Sequence, residues 1–292
     1  MKTQSFLLAF ILFLFAACQQ KETIEPRKII TLDKNWLFIN EDIENGEDPD
    51  LNTSVWENVD VPHDWAISGP FDATIDAQMV KVDEDGDKIE RLRTGRTGGL
   101  PHIGVGWYRK KISIPDSFRK KSIGIEFDGA MSHAKVYMNG KYIGEWPYGY
   151  SSFGFDVTDY INFGKDNILA VRLENLPFSS RWYPGAGIYR NVRMVVTNPV
   201  FVKQWGTFIT TPGIDEGNGT VNIEISFRNK LRKSMKINIE TEIFSPDGHS
   251  VATTMSEVKA DTFNRINQAA KIENPKLWSI QSPSIYKAVT RL

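Results

Sequence analysis

Lys135-Val136-Tyr137-Met138-Asn139-Gly140-Lys141-Tyr142-Ile143 is the stretch whose reading decides the fold. Two short runs flank Asn-Gly, a dipeptide that tolerates the positive φ values of a type I′ turn, so the stretch predicts a tight β-hairpin. On its N-terminal side, Ile123, Ile125 and Phe127 alternate with Gly124 and Glu126, which puts one face in a core and the other in water. On its C-terminal side, Ile168, Ala170 and Arg172 alternate with Leu169, Val171 and Leu173, predicting a further strand. Almost no segment carries helical periodicity. Short strands separated by turns dominate, and the chain reads as all-β.

A boundary falls near Asn198-Pro199, because proline lacks an N–H and holds its predecessor extended, as suits a linker. Beyond it the alternation is cleaner. Ile223, Ile225 and Phe227 share one face, and Ile237, Ile239, Thr241 and Ile243 share another. Ser245-Pro246-Asp247-Gly248 turns the chain, and a return strand is expected from Val251. This spacing predicts a second, smaller sandwich. Trp278 and Tyr286 are expected in its core. The charged, Gly-rich stretch 69–101 is expected to be a surface insertion or rim loop.

The 292 residues accommodate two domains, with 41% hydrophobic residues to fill their cores. Net charge is −1, and no Lys/Arg cluster forms the electrostatic footprint of a nucleic-acid binder. Aromatic content of 12%, with eight Trp, fits sandwich cores or sugar-facing surfaces. The chain opens with Lys2 and an apolar run from Phe6 to Ala17. That run is too short for a helix to cross a hydrocarbon core of about 30 Å. Ending Phe15-Ala16-Ala17-Cys18, it predicts a signal peptide over 1–18. Its ending resembles a bacterial lipobox, with Phe15 where leucine is usual. Cys18 is then the lipidation site of a protein anchored to the cell envelope, unless the segment is a plain secretory signal. As the single cysteine, it can form no internal disulfide. Residues 19–27 read as a polar tether, 28–198 as the first domain and 199–292 as the second.

Motifs for other chemistry are weak. His63-Asp64 lacks an accompanying nucleophile motif and is expected to serve structural hydrogen bonding. His102, His133 and His249 have no ligand spacing, so no metal site is expected. Asp83, Asp85 and Asp87 surround Gly86, but register on that glycine puts Lys81 and Leu92 where a calcium loop needs oxygen ligands. Gly95-Arg96-Thr97-Gly98-Gly99 lacks the Lys-Ser/Thr of a phosphate loop. No cofactor is implied.

Six ordered segments resemble one family, glycoside hydrolase family 2. They are Val61-Pro62-His63-Asp64-Trp65; Gly104-Val105-Gly106-Trp107-Tyr108-Arg109-Lys110; Phe127-Asp128-Gly129 with Val136-Tyr137-Met138-Asn139-Gly140; Gly149-Tyr150 with Phe153, Asp156-Val157-Thr158 and Tyr160-Ile161; Ser180-Arg181-Trp182-Tyr183-Pro184-Gly185-Ala186-Gly187-Ile188-Tyr189-Arg190; and Lys276-Leu277-Trp278-Ser279 with Pro283 and Tyr286. The resemblance spans about residues 29–292. It implies a jelly-roll, galactose-binding-like β-sandwich followed by an immunoglobulin-like β-sandwich.

The resemblance also implies a parent retaining β-galactosidase. Its two catalytic Glu, about 5–5.5 Å apart, would sit in a barrel of roughly 250 residues for which this sequence has no room. Asn40-Glu41 matches the family's acid/base dipeptide but lies in the wrong place. No catalytic residue is therefore assigned, and the chain alone is expected to be inactive. The second sandwich is expected to lack its last strand, leaving an unpaired sheet edge and an exposed apolar patch where the barrel would dock. The resemblance places the loop carrying Arg181 at the active-site rim. There its guanidinium would hydrogen-bond a sugar hydroxyl, or form an inter-domain salt bridge instead. Trp182 and Tyr183 would stack on a sugar face or pack against the barrel. Trp146, Tyr148 and Tyr150 are read mainly as core or edge. β-Galactoside is the first substrate choice, ahead of β-glucuronide and β-mannoside. A lipid-anchored carbohydrate-binding module and a structural, adhesin-like tandem sandwich stay as alternatives.

Overall fold

The computed structural model describes residues 26–68, 77–93, 104–176, 185–215, 217–231 and 233–292. Cys18 and the whole signal segment lie outside the described residues. The first domain contains β1 (Arg27–Thr31), β2 (Trp36–Ile39), β3 (Glu57–Val59), β4 (Gln78–Glu84), β5 (Asp87–Arg93), β6 (Gly104–Ile114), β7 (Ser122–Phe127), β8 (Ala134–Met138), β9 (Lys141–Trp146), β10 (Phe153–Asp156), β11 (Lys165–Asn175) and β12 (Val192–Thr197). A four-stranded sheet, ordered β1-β12-β7-β10, faces a six-stranded one, ordered β3-β2-β6-β11-β8-β9. All pairings are antiparallel.

The sandwich forms because alternate residues of facing strands are apolar. Ile123, Ile125 and Phe127 of β7 meet Val136 and Met138 of β8 and Leu169, Val171 and Leu173 of β11, all fully buried. The Asn139-Gly140 hairpin forms as expected, with φ of 52° and 77° and Met138 opposite Lys141. The strand around Trp36 and Phe38 is preceded by β1, which pairs with β12. β1 begins at Arg27, inside the expected tether.

The stretch 69–101 holds more than a loop. Its described part is a hairpin in which β4 and β5 pair only with each other. Asp85 and Gly86 turn it at φ of 55° and 90°, and Asp83 Oδ1 accepts the Gly86 N–H at 3.1 Å. The aspartate run thus builds a turn.

The second domain contains β13 (Val200–Asp215), β14 (Asn218–Asn229), β15 (Met235–Phe244), β16 (Ser250–Ala260), β17 (Phe263–Glu273) and β18 (Lys287–Arg291). Two three-stranded sheets, β13-β14-β17 and β16-β15-β18, enclose Ile223, Ile225, Phe227, Ile239 and Ile243. β18 pairs with β15 and is an edge strand among the described residues. Tyr286 packs against this core, and its hydroxyl accepts the Lys276 N–H at 2.8 Å. Trp278 does not fill the core as expected: it is 63% exposed, beside exposed Leu277, Ile280 and Ile285. Residues 275–286 run outside both sheets, so Trp278 stands at their open mouth.

The two domains touch along the outer face of the four-stranded sheet. Ser122, Val195 and Thr197 sit on that face, yet all are buried, because β13 and β14 lie across it. Lys230, just beyond β14, donates to Asp156 Oδ2 at 2.7 Å and Thr158 Oγ1 at 3.0 Å. Arg228 stands 3.7 Å from the same carboxylate.

Candidate functional site

Arg181, Trp182 and Tyr183 lie outside the described residues; the structure describes the scaffold that carries their segment. β11 ends at Asn175, which is almost fully buried and whose Nδ2 donates to Gly185 O at 2.8 Å. One side-chain amide therefore ties together the two ends of segment 177–184. Asn175 also pairs in register with Gly104, so the chain re-enters β6 at the same point.

A second clamp comes from Asp64. Its Oδ1 accepts the N–H of Ala66 at 3.0 Å and of Ala186 at 2.9 Å, joining segments 122 residues apart. Backbone bonds continue the seam: Trp65 N–H to Ala186 O at 2.9 Å and His63 N–H to Ile188 O at 2.8 Å. Gly187, at φ 124°, fits this seam because a Cβ there would stand 2.5 Å from His63 O and from the Tyr108 hydroxyl. Only glycine takes such a conformation without strain.

His63 Nδ1 and the Tyr108 hydroxyl share a hydrogen bond of 2.7 Å. Burial lowers the His63 pKa and raises that of Tyr108 well above the phenol range, so both stay neutral at pH 7. The hydrogen bonds described for His63 and Asp64 join segments of the scaffold.

Met131 exchanges two backbone hydrogen bonds with Gly187, at 2.9 and 3.1 Å. Ser132 Oγ donates to Glu174 O at 2.7 Å, and the Tyr189 hydroxyl donates to Gly149 O at 2.7 Å. Residues 63–66, 131–132, 147–151, 174–176 and 185–190 thus form one hydrogen-bonded end of the first sandwich. Aromatic rings surface beside it. Trp146 stacks on Phe153 at 6.0 Å, and Phe153 on the buried Phe127 at 4.8 Å. Tyr148 and Tyr150 meet edge to face at 5.6 Å. All three outer rings are exposed at the sandwich edge, and none is core.

Two carboxyl groups, Glu126 and Asp156, line a cleft elsewhere, between the domains. Asp156 cannot act as a nucleophile or base, since both its oxygens are engaged: Oδ1 by the Thr158 N–H and hydroxyl, Oδ2 by Lys230. Sequence reasoning missed Asn175 and Tyr108 as scaffold residues. Asn175 gives no local signal; Tyr108 lay within the Gly104–Lys110 motif, whose buried tyrosine could have been asked for a hydroxyl partner.

The profile of the glycosyl hydrolases family 2 sugar binding domain matches residues 30–199, and that of glycosyl hydrolases family 2 matches 200–292. The chain belongs to glycoside hydrolase family 2. It is 33% identical over 279 residues to a beta-galactosidase, BoGH2A, of Bacteroides ovatus, covering 94% of this chain and 31% of the relative. It is 35% identical over 281 residues to a putative beta-glucuronidase of Formosa agariphila, covering 96% and 25%. Among solved structures, a family 2 glycosyl hydrolase from Bacteroides cellulosilyticus superposes with a TM-score of 0.78 at 32% identity, over 90% of this chain and 33% of that one. The chain thus spans a third or less of the length of these relatives.

Proposed function

We propose that this chain is the N-terminal, non-catalytic part of an exported retaining β-galactosidase. Its first sandwich would present Arg181, Trp182 and Tyr183 to the sugar at the rim of a catalytic barrel that supplies two glutamates. The observation that carries the reading is the Ser180–Arg190 segment in a chain similar to a beta-galactosidase across both domains. The described scaffold supports it, since the Asn175 amide donates to Gly185 O across the segment and Asp64 Oδ1 accepts the N–H of Ala186 just beyond it.

The test uses nitrophenyl β-galactoside. The 292-residue chain alone is expected to show no turnover, whereas a polypeptide continuing into a barrel is expected to hydrolyse it. In that longer protein, Arg181→Ala should lower kcat/KM by about 10–100-fold, the worth of a charged hydrogen bond. Turnover by the chain alone, or an Arg181→Ala change under about twofold, refutes the reading.

We also infer that Cys18 is lipidated, which would hold the protein at the cell envelope. Labelled fatty acid should enter the wild type and not Cys18→Ser; equal labelling of both contradicts this.

A further inference from the structure

The outer face of the four-stranded sheet is not fully covered by the second domain. Between them runs a cleft of about 390 Å³, within the 300–1,000 Å³ usual for small-ligand sites, which favour domain interfaces. Its floor is low for a specific reason. Gly124 and Gly154 occupy neighbouring outward-facing positions of β7 and β10, beside Asp156 and Glu126 in the cross-strand pairs. A Cβ on Gly124 would meet only Phe155 O, at 3.6 Å, so the space above it is open. Phe201 of β13 supplies an apolar wall, with planar polar side chains Glu126 and Gln204 beside it, while Phe155 contributes only backbone because its ring packs into the core against Phe153 and Gly144.

Charge decides what fits. Arg27, Lys203 and Arg228 line the cleft against two carboxylates. One of these, Asp156, is already held by Lys230. The cleft therefore carries surplus positive charge beside one apolar wall and hydrogen-bonding planes. We propose that the interdomain cleft binds a pyranose sugar bearing an acidic group, its apolar face against Phe201 and its carboxylate toward Lys203 and Arg27. Glu126 accepts ring hydroxyls on the opposite side. Burial pushes the Glu126 carboxyl up, partly offset by Arg27 and Arg193, a perturbation that clusters at functional sites. The cleft shares no lining residue with the hydrogen-bonded end of the sandwich at 63–66 and 185–190, and the proposal does not depend on the reading of Arg181.

The test is calorimetric titration of the full 292-residue chain with methyl β-glucuronide and methyl β-galactoside. The uronide is expected to bind in the roughly millimolar range, with the galactoside at least about tenfold weaker, a margin typical of one charged contact. Gly124→Leu, which fills the floor, should abolish uronide binding. Lys203→Ala, a surface change with no folding consequence, should weaken it about five- to tenfold. Arg181→Ala should leave it unchanged. Failure of the uronide to bind, equal affinity for the galactoside, or binding that survives both cleft variants overturns the proposal. So does binding lost on Arg181→Ala, which assigns the ligand to the rim.

Discussion

Replacing Asp156 by alanine should weaken the first sandwich and its union with the second together. The carboxylate does two jobs. Its Oδ1 caps the turn at Thr158, accepting that residue's N–H at 3.1 Å and hydroxyl at 2.6 Å. Its Oδ2 receives Lys230 from the other domain at 2.7 Å. Losing a cap costs about 1 kcal/mol, and losing a charge-assisted hydrogen bond about 1.5–3 kcal/mol. With side-chain exposures of 30% and 25% for Asp156 and Lys230, the pair is too open for the full penalty of a buried ion pair. The expected total is about 2–4 kcal/mol, a fall in Tm of roughly 5–12 °C for a domain of this size. Asp156→Asn, which keeps an oxygen for the cap, should lose about half as much. Differential scanning calorimetry of wild type, Asp156→Ala, Lys230→Ala and the double variant gives the coupling directly, expected at about 1–2 kcal/mol. The pH dependence follows. Burial raises the carboxyl pKa, but the hydrogen bonds from Lys230 and Thr158 outweigh it, and the net shift is downward from 3.8. A depressed carboxyl pKa stabilises fully above the unfolded value and fades as pH falls through the folded one. Wild type should therefore lose its advantage over Asp156→Asn below about pH 4. Additive single variants, or an Asp156→Ala effect below about 0.5 kcal/mol, would refute the assignment.

Gly187→Ala should destabilise by about 3 kcal/mol or more, because the new Cβ meets His63 O and the Tyr108 hydroxyl at 2.5 Å; urea denaturation measures it, and a loss under about 1 kcal/mol would contradict the geometry. Phe227→Ala, in a fully buried position, should cost about 3–5 kcal/mol, and the exposed Trp278→Ala less than about 1 kcal/mol. The reverse order in chemical denaturation would place Trp278 in the core after all.

What was legible in the sequence follows from how local the cause is. The Asn139-Gly140 hairpin rests on two backbone conformations that few other dipeptides adopt, so it could be read directly. Ile237, Ile239, Thr241 and Ile243 betray their shared face by period alone, and all four are buried. The β4-β5 hairpin escaped notice because neither face is buried. In β4 only Val80 and Val82 alternate with charged residues, and every residue of β5 is exposed, so the pattern is too short to read as a strand pair. Trp278 misled because a large aromatic ring suggests burial, whereas its place outside both sheets is set by the path of residues 275–286. The rim scaffold was half visible. His63-Asp64 could be assigned structural hydrogen bonds, but the partner of Asp64 lies 122 residues away and Asn175 carries no motif. Gly124 read only as part of a wet face; that a second domain partly covers it is a tertiary fact.

The double grip of Asp64 on Ala66 and Ala186 separates what is displayed from what displays it. Together with the Asn175 tie to Gly185 O, it anchors the residues on either side of 177–184 to a distant part of the chain. Grafts between relatives with different sugar preferences therefore have a natural pair of joints at Leu176 and Gly185.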